Sequence, residues 1–60
     1  MSGKFYCKKP GGHKVKDAGG EVIIDLLEGT REKGPFYQAW EISDDRLEKW
    51  MAKGIIEMVD

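Results

Sequence analysis

A single thiol, Cys7, and a single imidazole, His13, are the side chains of this 60-residue sequence best suited to nucleophilic chemistry. An imidazole that draws the proton from a thiol creates the reactive thiolate, but such a pair works only when a third group orients the base. The spacing places no such group. The expectation is a buried, inert Cys7 and a His13 exposed in a turn, with no catalytic residue. The same two side chains would hold a metal only with carboxylates or a second chain supplying further ligands. One cysteine leaves no intramolecular disulfide and argues against the usual structural zinc set. No metal-binding or cofactor-binding residue is therefore expected.

The glycine pairs Gly11-Gly12 and Gly19-Gly20 have neither the Walker spacing with Lys-Ser/Thr nor a dinucleotide fingerprint ahead of a helix, so they read as turns. Asp44 and Asp45 are adjacent acids, yet at a helix N-terminus their interaction with the helix dipole explains them without acid-base work. Two sets of residues could instead carry binding. Lys4, Lys8, Lys9, Lys14 and Lys16 stand in the first sixteen residues without an acid among them, and Tyr6 lies between them. Aromatic and basic residues interleaved in this way are the means by which small β domains hold single-stranded nucleic acid. The plainer account of the same residues is a solvated strand edge that lysines protect from aggregation. Trp40, Trp50 and Tyr37 form the second set. A domain this small cannot easily bury two indoles, so at least one is expected in a contact with another protein.

The elements that must position these residues are clearest in the C-terminal third. Ser43 is a helix N-cap, Asp44 and Asp45 charge the first turn, and Leu47, Trp50 and Met51 recur at helical spacing. Gly54 stops the helix, which is expected over residues 43–53. Ile42 and Leu47 occupy the two positions of a hydrophobic staple, and Ile55 can close on Trp50 in a Schellman contact. Ile55 to Val59 follows as a strand with Ile55 and Val59 on one face.

Upstream, Lys4 to Lys9 reads as an edge strand with Phe5 and Cys7 on one face and a half-exposed Tyr6 on the other. Pro10, Gly11 and Gly12 reverse the chain so that His13 to Lys16 pairs back. Glu21 to Leu27 is the expected central strand; Val22, Ile24 and Leu26 share one face, while Ile23 and Leu27 flank Asp25 on the other. Glu28 to Gly34 reads as a mobile surface loop, and Phe36 to Ile42 alternates as a further strand. The predicted fold is α+β: one domain over residues 1–60, with three to five short antiparallel strands in a sheet or partial SH3-like barrel and one helix packed across it.

Sixty residues bury only about 60% of the surface that the unfolded chain exposes, so the core must be thin. No apolar run approaches the roughly 20 residues that cross a bilayer, and the first residues lack the apolar stretch of a signal peptide. A soluble protein is expected, cytoplasmic in a host cell or part of a virion, with no membrane partner. The formal net charge is -1 and the isoelectric point about 5.8, which weighs against nucleic acid as the main partner.

The plan of short strands, a polar loop, then strand, capped helix, glycine break and apolar terminal strand resembles small accessory proteins of Mu-like prophages, the FluMu-type N-terminal domain, and other short phage proteins. The residues that carry it are Trp40-Glu41-Ile42-Ser43-Asp44, Leu47 and Ile55-Ile56-Glu57-Met58-Val59, mainly the last third of the chain. The resemblance implies a phage or prophage origin and a non-enzymatic role in a virion or its assembly, and it carries over no functional residue. The sequence thus leads to a protein-interaction or structural module that binds a protein partner or itself through Trp40, Trp50 and Tyr37. A nucleic-acid-binding module using the N-terminal lysines is the alternative.

Overall fold

The computed structural model describes residues 3–59; positions 1–2 and 60, the ends of the expected domain, lie outside the described residues. The chain forms β1 (Lys4–Cys7), β2 (His13–Lys16), β3 (Val22–Leu26), β4 (Tyr37–Gln38), a 3-10 turn (Ala39–Glu41), α1 (Asp44–Ala52) and β5 (Ile56–Met58). These strands make two antiparallel sheets, one in the order β4-β1-β5 and one of β2-β3 alone. The α+β class is as expected; the strand at the centre is not.

Helix α1 is set by its two caps. Ser43 is extended at φ -64° and ψ 150°, and its Oγ accepts from the Arg46 amide at 3.4 Å, while Asp44 and Asp45 lie in the positive first turn. At the other end Gly54 takes φ +76°, its amide donates to the Met51 carbonyl at 3.1 Å, and the Ile55 amide donates to the Trp50 carbonyl at 2.9 Å. These are the two hydrogen bonds of a Schellman motif. They turn the chain straight into β5, which the helix packs against. Because the Ile55 amide is used in this cap, β5 begins only at Ile56. Ile56, 2% exposed, is the residue of β5 that enters the core, and Ile55 packs against it from the cap.

The central strand is β1, not the β-branched segment 21–27. Phe5 and Cys7 are 0% exposed and Tyr6 on the opposite face is 8% exposed, so both faces of β1 are covered. It pairs with β4 through Lys4 to Gln38 and Phe5 to Tyr37, and with β5 through Phe5 to Met58, Tyr6 to Glu57 and Cys7 to Ile56. The edge-strand reading of the N-terminal lysines fails because Lys8 and Lys9 lie past the end of the strand, and Lys4 sits over the Phe36 ring at 4.8 Å. Nor does β2 pair back on β1. Lys9 to Gly12 forms a turn closed by a 2.9 Å hydrogen bond from the Gly12 amide to the Lys9 carbonyl, with Gly11 at φ +83°, as a Pro10-Gly11 type II turn requires. Gly12 then passes so close to β3 that a Cβ on it would sit 2.4 Å from the Leu26 carbonyl oxygen. The chain is thereby carried onto β3.

The strand expected over Phe36 to Ile42 lasts two residues before the backbone winds into the 3-10 turn. There the Gln38 amide donates to Glu41 Oε2 at 3.2 Å. The polar stretch 28–34 is a tied turn rather than a mobile loop. Thr30 and Gly34 exchange backbone hydrogen bonds of 2.8 and 3.2 Å, and Arg31 forms an ion pair with Glu57 on β5. Phe5, Cys7, Leu26, Ala39, Ile42, Leu47, Trp50 and Ile56 make the core. The helix contributes Leu47 and Trp50, and Ile42 and Leu47 join the core as the staple predicts.

Two neighbouring glycines separate backbone strain from packing. Gly11→Ala meets nothing within 4 Å and suffers only its φ of +83°, a loss of about 1–2 kcal/mol. Gly12→Ala carries the same φ and also drives a methyl into the Leu26 carbonyl, so its loss is larger. Urea denaturation of the two variants is expected to rank them in that order; equal losses would show that the close approach of Gly12 to β3 does not constrain the fold.

Candidate functional site

Cys7 ends the doubly covered strand β1 and is fully buried. Its carbonyl accepts from the Gly29 amide at 2.8 Å, and Cys7 bridges Glu28 in parallel fashion, which links the end of β1 to the segment that follows β3. The thiol is a packing group in the core cluster. His13 is not an exposed turn residue. It opens β2 opposite Leu26, and its ring meets Trp50 edge-on with centroids 4.9 Å apart. The turn prediction failed because Gly12 completes the reversal one residue earlier, which frees His13 to join the ladder. His13 Nδ1 is buried without a hydrogen-bond partner, Cys7 included, so the structure does not assemble a thiol-imidazole pair.

Burial lowers the His13 pKa below 6.5, and the charges of Lys9 and Lys53 lower it further. The orphaned Nδ1 agrees with this direction, since a proton there would find no acceptor.

The N-terminal lysines are not brought together with an aromatic platform. Tyr6 is buried beside Glu57, Lys8 Nζ lies 3.6 Å from Glu57 Oε1, and Lys4 covers Phe36. Lys9, Lys14 and Lys16 are exposed, the last two on β2. The aromatic set divides differently. Trp50 is 5% exposed and belongs to the core, whereas Trp40 on the 3-10 turn is 73% exposed. Tyr37 is half-buried; its ring lies 5.7 Å from that of Phe5, and its hydroxyl accepts from the Leu27 amide at 2.8 Å.

That last bond lies beside the side of β3 that β2 does not cover. Strand β3 pairs with β2 on one side only, and along its other side runs a groove of about 220 Å³ whose walls include Ile23, Asp25, Tyr37, Glu41 and Ile42. On the outer face of β3, Ile23 is 52% and Leu27 60% exposed on either side of Asp25. The sequence showed this apolar-acid-apolar alternation. It did not show that the strand is an edge or that residues 37–42 form the opposite wall. Among the described residues, no group of three or more His, Cys, Asp or Glu could hold a metal ion, and no helix is long and apolar enough to cross a membrane.

The two indoles give contrasting expectations. Trp50→Ala removes a core side chain and costs about 3–5 kcal/mol, enough to unfold a domain of this size, whereas Trp40→Ala changes stability by less than about 0.5 kcal/mol. Thermal and urea unfolding of both variants checks this; a large loss at Trp40 would mean that its indole supports the fold.

For His13 the sign follows from the lowered pKa. Between the folded value and 6.5 the unfolded chain holds more protons, so stability rises with pH through that window. The contribution is complete above 6.5 and is lost as pH falls through the folded value. The titration of the ring protons by NMR should give a midpoint below 6.5, and His13→Gln should lessen the loss of stability between pH 8 and pH 5; a midpoint above 6.5 contradicts the packing described.

No family model matches the chain, and neither a curated protein nor a solved structure is significantly similar to it.

Proposed function

We infer that this chain is a non-enzymatic protein-interaction module whose contact surface is Trp40 together with the outer face of β3. The observation that carries the reading is the exposure of Trp40, 73%, on a turn that is itself held in place. Ala39 beneath it is buried, and the Glu41 carboxylate ties back to the Gln38 amide. A rigidly presented indole loses little freedom on contact and can bury a large apolar area, which is why tryptophan is enriched among residues that dominate protein interfaces. Single exposed apolar residues are ordinary, but here the surface continues. Glu41 and Tyr37, on either side of Trp40 in sequence, share the groove with Ile23, and Leu27 is hydrogen-bonded to Tyr37. A phage or prophage origin would place such a module in a virion or its assembly, in the host cytoplasm or the particle, and no residue role depends on that.

A photoreactive benzoylphenylalanine at position 40, and separately at the exposed helix position 49, tests the reading in cells that make the protein. A discrete adduct from position 40 but not 49, sensitive to protease and resistant to nuclease, is expected, with either a second copy or a different protein. Adducts destroyed by nuclease would shift the reading to the basic residues Lys9, Lys14 and Lys16, and no adduct at position 40 would overturn it.

A further inference from the structure

We propose that the open edge of β3 binds an extended peptide segment of a partner protein, one that alternates apolar and basic side chains and adds to the β2-β3 sheet as a third strand. The inference rests on the interaction reading and names the partner's chemistry.

The backbone supplies the first argument. Residues Leu26, Asp25 and Ile24 stand in regular antiparallel register with His13, Lys14 and Val15. In such a ladder successive residues direct their N–H and C=O groups to alternate sides. The Leu27 amide points away from β2, since it donates to the Tyr37 hydroxyl. By alternation the amide and carbonyl of Asp25 point to that same side, into the groove. Ile23 has no register partner on β2, because the ladder steps from Val15–Ile24 to Lys16–Val22 at a bulge, so the pairing with β2 is weakest where the groove begins. An added strand would take up the Asp25 groups, and strand addition at an exposed edge is a common mode of peptide recognition.

The groove supplies the second argument. An apolar cavity of about 150 Å³ accommodates a benzene ring, so about 220 Å³ between Ile23, Tyr37 and Ile42 suits one large apolar side chain rather than a small-molecule ligand. Alternate residues of an added strand would place one side chain there and the next against the opposite face.

Charge selects among occupants. Asp25 and Glu41 line the groove and no Lys or Arg does. The two ion pairs of the described residues both use Glu57, so neither groove acid is engaged in one. A second copy docked edge to edge about a two-fold axis would set Asp25 and Glu41 against their own symmetry mates, an unfavourable juxtaposition. A nucleic acid would bring phosphates to the same carboxylates. A peptide carrying Lys or Arg at alternate positions meets both demands.

The test uses the full chain labelled with nitrogen-15 and four capped nine-residue peptides, with NMR shifts giving site and affinity. The first alternates Lys and Val around a central Phe, the second replaces each Lys by Glu, the third is the first with alternate amides N-methylated, and the fourth is the first interrupted by replacement of two of its Val residues by Pro. Expected are shifts at Ile23, Asp25 and Tyr37 with the Lys peptide. The Glu, N-methylated and interrupted peptides should each bind at least tenfold more weakly, and added salt should weaken the Lys peptide. The variant Asp25→Asn/Glu41→Gln keeps the shape of both side chains and should abolish the preference for Lys over Glu. Equal binding of the Lys and Glu peptides, equal binding of the N-methylated peptide, shifts at β3 that follow protein concentration alone, or no binding would each overturn the proposal. The cross-link at position 40 judges the parent reading separately, because it requires no particular peptide chemistry.

Discussion

Covering both faces of one short strand is the constraint from which the rest of the structure follows. The chain has too little apolar material for a layered sheet, and it concentrates what it has around Lys4–Cys7, where Phe5, Tyr6 and Cys7 are all buried. Such a strand must have neighbours on both sides, or its backbone groups would be desolvated without partners. Those neighbours come from residues 37–38 and 56–58, far along the chain. The Schellman turn at Gly54 is therefore more than a helix stop. It aims β5 antiparallel to β1 and brings Ile56 beside Cys7, while the helix behind it supplies Leu47 and Trp50.

Once β1 has claimed these partners, β3 is left with β2 alone. Its inner residues show the consequence as a gradient: Leu26 is 3% exposed near the junction with Cys7, Ile24 packs partly against the core, and Val22 at the far end is 42% exposed. The hairpin is held by local devices instead. Asp17 Oδ1 accepts from the amides of Gly19 and Glu21 at 2.9 and 3.0 Å, an Asx-type closure. At the junction Glu28 Oε1 accepts from the Gly11 amide and Gly29 binds the Cys7 carbonyl. Tyr37 closes the same end of the groove through its hydroxyl, which accepts from the Leu27 amide. The open edge is thus a by-product of where the scarce apolar burial was spent.

Helix α1, both of its caps, its staple and the α+β class were legible because each rests on residues within a few positions of one another. Ser43, Gly54, Ile42 and Leu47 needed no distant information. The alternation of Ile23, Asp25 and Leu27 was equally plain. Strand order was not, since β-branched content marks a strand without saying how many neighbours it has, and Val22 to Leu26 looks more central than Lys4 to Cys7. The preference was reversed by tertiary pairing, and lysines placed just outside a buried strand passed for an edge. His13 was misread because its partner, Trp50, lies 37 residues further on, and the groove was invisible because its second wall is a 3-10 turn hidden in an alternating segment.

The pairing of β1 with β5 has a mechanical side. Gly3 and Val59 sit at the same end of two adjacent antiparallel strands, with the Val59 amide bonded to the Lys4 carbonyl at 2.9 Å. Tension applied between these positions acts across the strands, along the direction of the ladder hydrogen bonds, and loads them one after another. The domain would open like a zipper, at low force, beginning with the strand pair that organises its core. Tension applied between Gly3 and the 17–21 turn enters β1 together with a strand of the other sheet and cannot peel β5 away in that manner. The same fold is therefore soft along one axis and has no such weakness along another.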